Sequence, residues 1–218
     1  MSRGTTLKIA AIFATAVIIF SAQVRSEDLK SLSAKLNSPK RMEVISGVKG
    51  LLLMRNEDAT KLVANRLKTE KDNYVKEQIV EMLASDNSKT ALDAIVASIS
   101  DPDLAVRNAA VRSLGYSCND EVVIRELTKV VNSSKSEDSL KETAVSSLAV
   151  CSSSSAVEAV DNVLGNKKFN KQLRTRAARS LGKMGSAEAK TKLRKYTNDE
   201  QVKDTVNEAL VQDKKLRR

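Results

Sequence analysis

Apolar residues recur along the chain at i, i+4 and i+8, and this triplet returns six times. The copies are Val44, Val48, Leu52; Val75, Ile79, Leu83; Val106, Ala110, Leu114; Leu140, Ala144, Leu148; Leu173, Ala177, Leu181; and Val202, Val206, Leu210. Successive copies begin 31, 31, 34, 33 and 29 residues apart. Residues four apart share one face of an α-helix. After each of the first five copies comes a short polar break, then a second apolar pattern, anchored at Leu62, Ile95, Leu127, Val160 and Leu193. No convincing period-two alternation interrupts this pattern. The reading is therefore of helices in pairs, one unit written repeatedly.

The punctuation agrees with paired helices. Pro39 and Pro102 stand five and four residues ahead of Val44 and Val106, and the first turn of a helix tolerates a residue without an N–H. Ser38 and Asp101 precede these prolines as predicted N-caps. Gly115 and Gly182 are predicted to close first helices. Ser153 to Ser155, and Gly185 with Ser186, are predicted to open second helices. One pair of short helices cannot bury its apolar side alone, whereas stacked pairs share a continuous core. The predicted fold is all-α: a right-handed α-solenoid of about five helix pairs plus a terminal helix, over residues 27–212, with a basic tail at 213–218.

Two copies carry a family resemblance. Asp101, Pro102, Val106, Arg107, Ala110, Leu114 and Gly115, in "DPDLAVRNAAVRSLG", match the pattern of a HEAT repeat in its bacterial form. Leu173, Arg174, Ala177, Leu181 and Gly182 match it next. The chain thus resembles HEAT-repeat proteins over roughly residues 36–212, including relatives that handle phycobilin pigments. Armadillo-like solenoids are the nearest rivals, with tetratricopeptide solenoids, which prefer a strict 34-residue period and aromatic positions that this chain lacks. The resemblance implies stacked helix pairs that mostly hold partners.

Composition adds a compartment. "MSRGTTLK" carries Arg3 and Lys8, Ile9 to Phe20 is an uncharged apolar run of twelve residues, and "SAQVRS" follows. Basic, apolar, then small residues is the order of a secretory signal peptide, here residues 1–26, with Val24 and Ser26 before a mature start at Glu27. As a helix the run spans about 18 Å, short of the roughly 30 Å hydrocarbon core. The alternative is an uncleaved inner-membrane anchor through residues 9–20. The expected location is the periplasm or the exterior, which disfavours nucleic acid as a partner and permits disulfides.

Enzymatic chemistry finds little material. The chain has no His, which excludes the usual catalytic triads and His-based metal clusters, and with them the His-Glu iron sites of HEAT-type hydroxylases. Acidic groups fall at helix starts, where they favour the positive end of the helix dipole. The reading is a non-enzyme without cofactor or metal. The alternative is an enzyme accessory or lyase-like protein with a carboxylate site in its groove. Cys118 and Cys151, the only cysteines, lie 33 residues apart, one repeat, each just beyond a first helix. They are read either as a disulfide stapling neighbouring repeats or as two small buried thiols.

Charge is uneven. The whole chain is +10. Glu27 to Leu164 holds 18 basic and 21 acidic residues, and Gly165 to Arg218 holds 16 basic and 6 acidic. Lys190 and Arg194 share a helix face, and second helices line the concave surface of resembling solenoids. Arg174, Arg176, Lys190, Arg194 and Lys195 are therefore the candidate docking residues for a protein with an acidic surface. Anionic lipid and an acidic cell-wall polymer are further partners of that charge. Head-to-tail self-association of an acidic first end with a basic last end is another reading. The competing interpretation of the basic end is a solvated polar cap, which any solenoid needs. Arg112 and Arg179, at matching places, are expected to reach acidic residues across repeats.

Overall fold

The computed structural model describes residues 28–118, 120–151 and 153–216, with side chains as far as residue 211. The expected signal peptide and the basic side chains of the tail lie outside the described residues. Every regular element among the described residues is a helix.

Two compact units divide the chain after Thr69. The first contains α1 (residues 28–36), α2 (Arg41–Leu53) and α3 (Glu57–Thr69). The second contains α4 (Asn73–Leu83), α5 (Lys89–Ser98), α6 (Leu104–Leu114), α7 (Glu121–Asn132), α8 (Asp138–Cys151), α9 (Ser154–Gly165), α10 (Lys171–Met184), α11 (Ala187–Arg194) and α12 (Lys203–Leu216). Five pairs and a terminal helix are thus present, and α1 is an addition that the triplet pattern did not announce.

In the second unit the first helices form one row, α4 on α6, α6 on α8, α8 on α10 and α10 on α12. Among the second helices α7 packs on α9 and α9 on α11. The triplets of α4, α6, α8 and α10 are all buried, so they form the core between the rows. At both ends the register differs from the expectation. In α2 Leu51 is buried and Leu52 only half-buried, in α3 Val63 replaces Leu62, and in α12 Ala209 replaces Leu210. Val63, Ile95, Leu127, Val160 and Leu193 are all buried at steps of 32, 32, 33 and 33, so the second helices keep a near-constant spacing. The run Leu51–Leu53 offers an apolar residue at every phase, and packing selects one. Gly47 helps to select it: a Cβ there would stand 2.8 Å from Cβ of Lys35 on α1.

Helix starts are capped by Asp72, Ser88, Asp103, Asp120, Ser153, Asn170 and Ser186, each accepting a first-turn N–H. Each such cap contributes about 1 kcal/mol. Both prolines lie outside the helices they precede. Asp103, not Asp101, caps α6, and Asp101 accepts from Asp103 N at 2.9 Å to shape the turn. Ser38 likewise braces a turn, accepting from Lys40 N at 3.1 Å. Gly182 is interior to α10; the helix closes at Gly185, whose φ of 64° is left-handed, a conformation cheap only for glycine.

Candidate functional site

A basic residue follows the first anchor of each triplet in the second unit: Lys76, Arg107, Lys141, Arg174 and Lys203. Three of them tie repeats together. Lys76 Nζ pairs with Asp101 at 2.9 Å. Arg107 donates to the Asp101 carbonyl at 2.7 Å and pairs with Glu137. Arg174 donates to the Leu164 carbonyl at 2.8 Å, to Gln201 at 2.6 Å and to Asp199 at 2.7 Å. The Arg174 hydrogen bond holds the Asp199 carboxyl below its ordinary value.

Arg174 is therefore no docking residue. Its side chain is only 1% exposed, and its guanidinium is spent on the junction of α9, α10 and the turn before α12. Arg176 is half-exposed and paired with Glu142 on α8 at 3.0 Å; Gln172 donates to the same carboxylate at 2.5 Å. The expectation for Arg112 holds, since it bonds Glu81 at 2.7 Å with Glu77 at 3.5 Å. The one for Arg179 does not: it is exposed, and Ser146 occupies the position in α8 that Glu81 occupies in α4.

Lys190, Arg194 and Lys195 belong to α11 and its C-cap, in the row of second helices. Two sides of α11 differ. Lys192 pairs with Glu158 and, at 3.2 Å, with Asp161, both on α9. Tyr196 donates to Asp161 at 3.0 Å, and Lys195 stands 3.8 Å from the same carboxylate. Burial, then the Asp161 contact, pushes the Tyr196 phenol up to about 12. Hydrogen bonds to Glu158 and Asp161 raise the Lys192 ammonium, and the Lys192 bond lowers Glu158. At 100° per residue Lys190 and Arg194 fall on the flank opposite Lys192 and Lys195. They face away from α9, at the end of the second-helix row.

The five candidate residues are thus not brought together. One is buried, one is engaged on the first-helix row, and three surround α11. The Lys192–Asp161–Tyr196 cluster was missed. Its signal was Asp161, an acid within the otherwise apolar inner positions Val157, Val160, Val163 and Leu164 of α9.

A groove of about 610 Å³ runs along α8 between α6 and α10. Glu142, Thr143 and Ser146 line its floor, and exposed Tyr116 and Val150 stand at one end. That end lies beside the disulfide joining Cys118 to Cys151, whose Cα atoms are 4.7 Å apart. Equivalent sites on stacked helices lie about 8–10 Å apart; the α6–α7 turn brings Cys118 closer. Among the described residues no group of three or more His, Cys, Asp or Glu side chains is placed to hold a metal ion.

Comparison with known proteins agrees with this repeat geometry. Residues 60–149 and 124–212 match the model of HEAT repeats. The chain belongs to the HEAT-repeat family. No curated protein matches it in sequence. Among solved structures, the CpcE–CpcF complex of phycocyanin lyase from Nostoc sp. PCC7120 is similar over 78% of this chain and 71% of that one, at 17% identity and a TM-score of 0.54. Human deoxyhypusine hydroxylase is similar over 85% and 84%, at 13% identity and 0.42. A designed armadillo repeat protein in complex with the peptide (KR)4 is similar over 84% and 99%, at 16% identity and 0.48. The likeness to the lyase complex shows the fold that the HEAT repeats of this chain share with it.

Proposed function

We propose that this HEAT-repeat protein is a non-catalytic scaffold of an exported or envelope assembly, and that it holds an acidic protein partner against its last helix pair. The observation that carries the reading is a contrast in how cations are used. Between residues 70 and 164, six of nine cations have a carboxylate within 4.0 Å: Lys76, Lys89, Arg107, Arg112, Arg125 and Lys129. Of the eleven cations from Lys167 to Lys195, Arg174, Arg176, Lys192 and Lys195 have such a neighbour, whereas Lys167, Lys168, Lys171, Arg179, Lys183 and Arg194 are exposed and have none among the described residues. Unspent charge of one sign attracts a partner of the other sign and speeds its encounter.

Within that field the α11 flank is the docking face. Lys190 and Arg194 stand where a further second helix would stack, so a partner there continues the row. Export rests on the order of residues 1–26 and agrees with the Cys118–Cys151 bond, which an oxidising compartment preserves.

The test is crosslinking in intact cells with two charge-reversed chains, Lys190→Glu with Arg194→Glu, and Arg179→Glu with Lys183→Glu. Loss of one defined protein with the first pair supports the α11 face. Loss with the second pair alone moves docking to α10. Retention with both returns the charge to a solvated end cap.

A further inference from the structure

In the first unit, α2 turns apolar side chains outward. Met42, Ser46, Lys49 and Leu53 are spaced i, i+4, i+7 and i+11, one stripe of a helix, and all four are exposed. Met42 is 70% and Leu53 69% exposed. The buried side of the helix, Val44, Gly47, Val48 and Leu51, lies opposite. Ile45 and Leu52, half-buried, border the stripe. A stripe of the same spacing on α10 reads Gln172, Arg176, Arg179, Lys183, with no apolar member. Solvation alone does not call for Met and Leu in such places; a rim of cations around exposed apolar groups marks a binding face.

The charge around the α2 stripe is predominantly basic, the one acid on the helix, Glu43, being paired with Lys40 at 2.9 Å. Lys49 sits between the two apolar ends, Lys40 and Arg41 precede it and Arg55 follows. Residues 28–69 hold nine basic and four acidic residues. Apolar tips that enter the acyl boundary, with Lys and Arg stems reaching back to anionic headgroups, are the chemistry of an interfacial helix. We propose that the outward face of α2 docks on an anionic lipid bilayer, independently of the protein docking face on α11.

The test is co-sedimentation with vesicles of phosphatidylglycerol in phosphatidylcholine, and with phosphatidylcholine alone. It uses the full chain and the form beginning at Glu27. The expected result is that the Glu27 form binds the anionic vesicles in a salt-sensitive manner, and that Met42→Ser, Lys49→Glu, Leu53→Ser binds about tenfold more weakly. Lys49→Glu alone, which removes only an exposed cation, carries the test if the triple variant does not fold. Equal binding to both kinds of vesicle would overturn the proposal. So would binding by the full chain alone that the variants leave unchanged, which places it in Ile9–Phe20. Binding lost only with Lys190→Glu and Arg194→Glu would overturn it in favour of the basic last end.

Discussion

Arg174 reaches across 25 residues to Asp199 at 2.7 Å, joining the second turn of α10 to the turn that leads into α12. The buried guanidinium also satisfies the Leu164 carbonyl at the end of α9. One side chain thereby ties together α9, α10 and the turn between α11 and α12.

Replacing Arg174 with Leu is expected to cost about 3 kcal/mol, because Asp199 and the Leu164 carbonyl lose a partner inside the fold. Urea unfolding measures it. Asp199 has a depressed folded pKa, caused first by the Arg174 hydrogen bond, against an ordinary value of 3.8. Its contribution is complete above that ordinary value and is lost as pH falls through the lower folded one. Asp199→Asn should therefore be less stable than the parent at neutral pH, with the gap closing below about pH 4.

Helix register in α2 separates the structure from the triplet pattern. Leu51→Ala is expected to cost about 2–5 kcal/mol and Leu52→Ala clearly less, since only the first is fully buried. Leu114→Ala and Leu148→Ala should resemble Leu51→Ala. Thermal or urea midpoints rank the four.

Gly182 touches α12. A Cβ added there would stand 2.8 Å from Cβ of Ala209, so Gly182→Ala should destabilise by about 1–3 kcal/mol through overpacking, offset by about 1 kcal/mol of helix propensity. Gly185→Ala should cost about 1 kcal/mol for a different reason, its left-handed φ. Larger side chains distinguish the two: Gly182→Val worsens steeply, because the contact is with a facing helix.

Thiol titration of the unfolded chain should find no free thiol before reductant and two after it, in keeping with the Cys118–Cys151 bond. Cys118→Ser with Cys151→Ser is expected to lower stability by up to about 4 kcal/mol in the chain-entropy picture of a 33-residue separation.

Much of this architecture is legible in the sequence, because period and burial have the same cause. Val75, Ile79 and Leu83, and their counterparts in α6, α8 and α10, lie on the only apolar face those helices have. Where a helix is apolar nearly all round, as at Leu51–Leu53, the pattern leaves several registers open and packing chooses. Caps were displaced by two residues at α6 because Asp101 and Asp103 are equally good acceptors and only the turn decides between them. The basic set was harder to read. Arg174 and Arg194 are the same letter, yet one fills a junction and the other meets solvent, a difference set by neighbours 25 residues away. Tyr196 and Lys192 became visible as partners only when α11 was laid beside Asp161.

The most direct test of the scaffold reading is crosslinking in intact cells of the parent chain and of the Lys190→Glu, Arg194→Glu chain. The expected result is one defined acidic protein captured by the parent and lost from the variant, with the variant still folded. The same captures from both chains would contradict a docking face on α11.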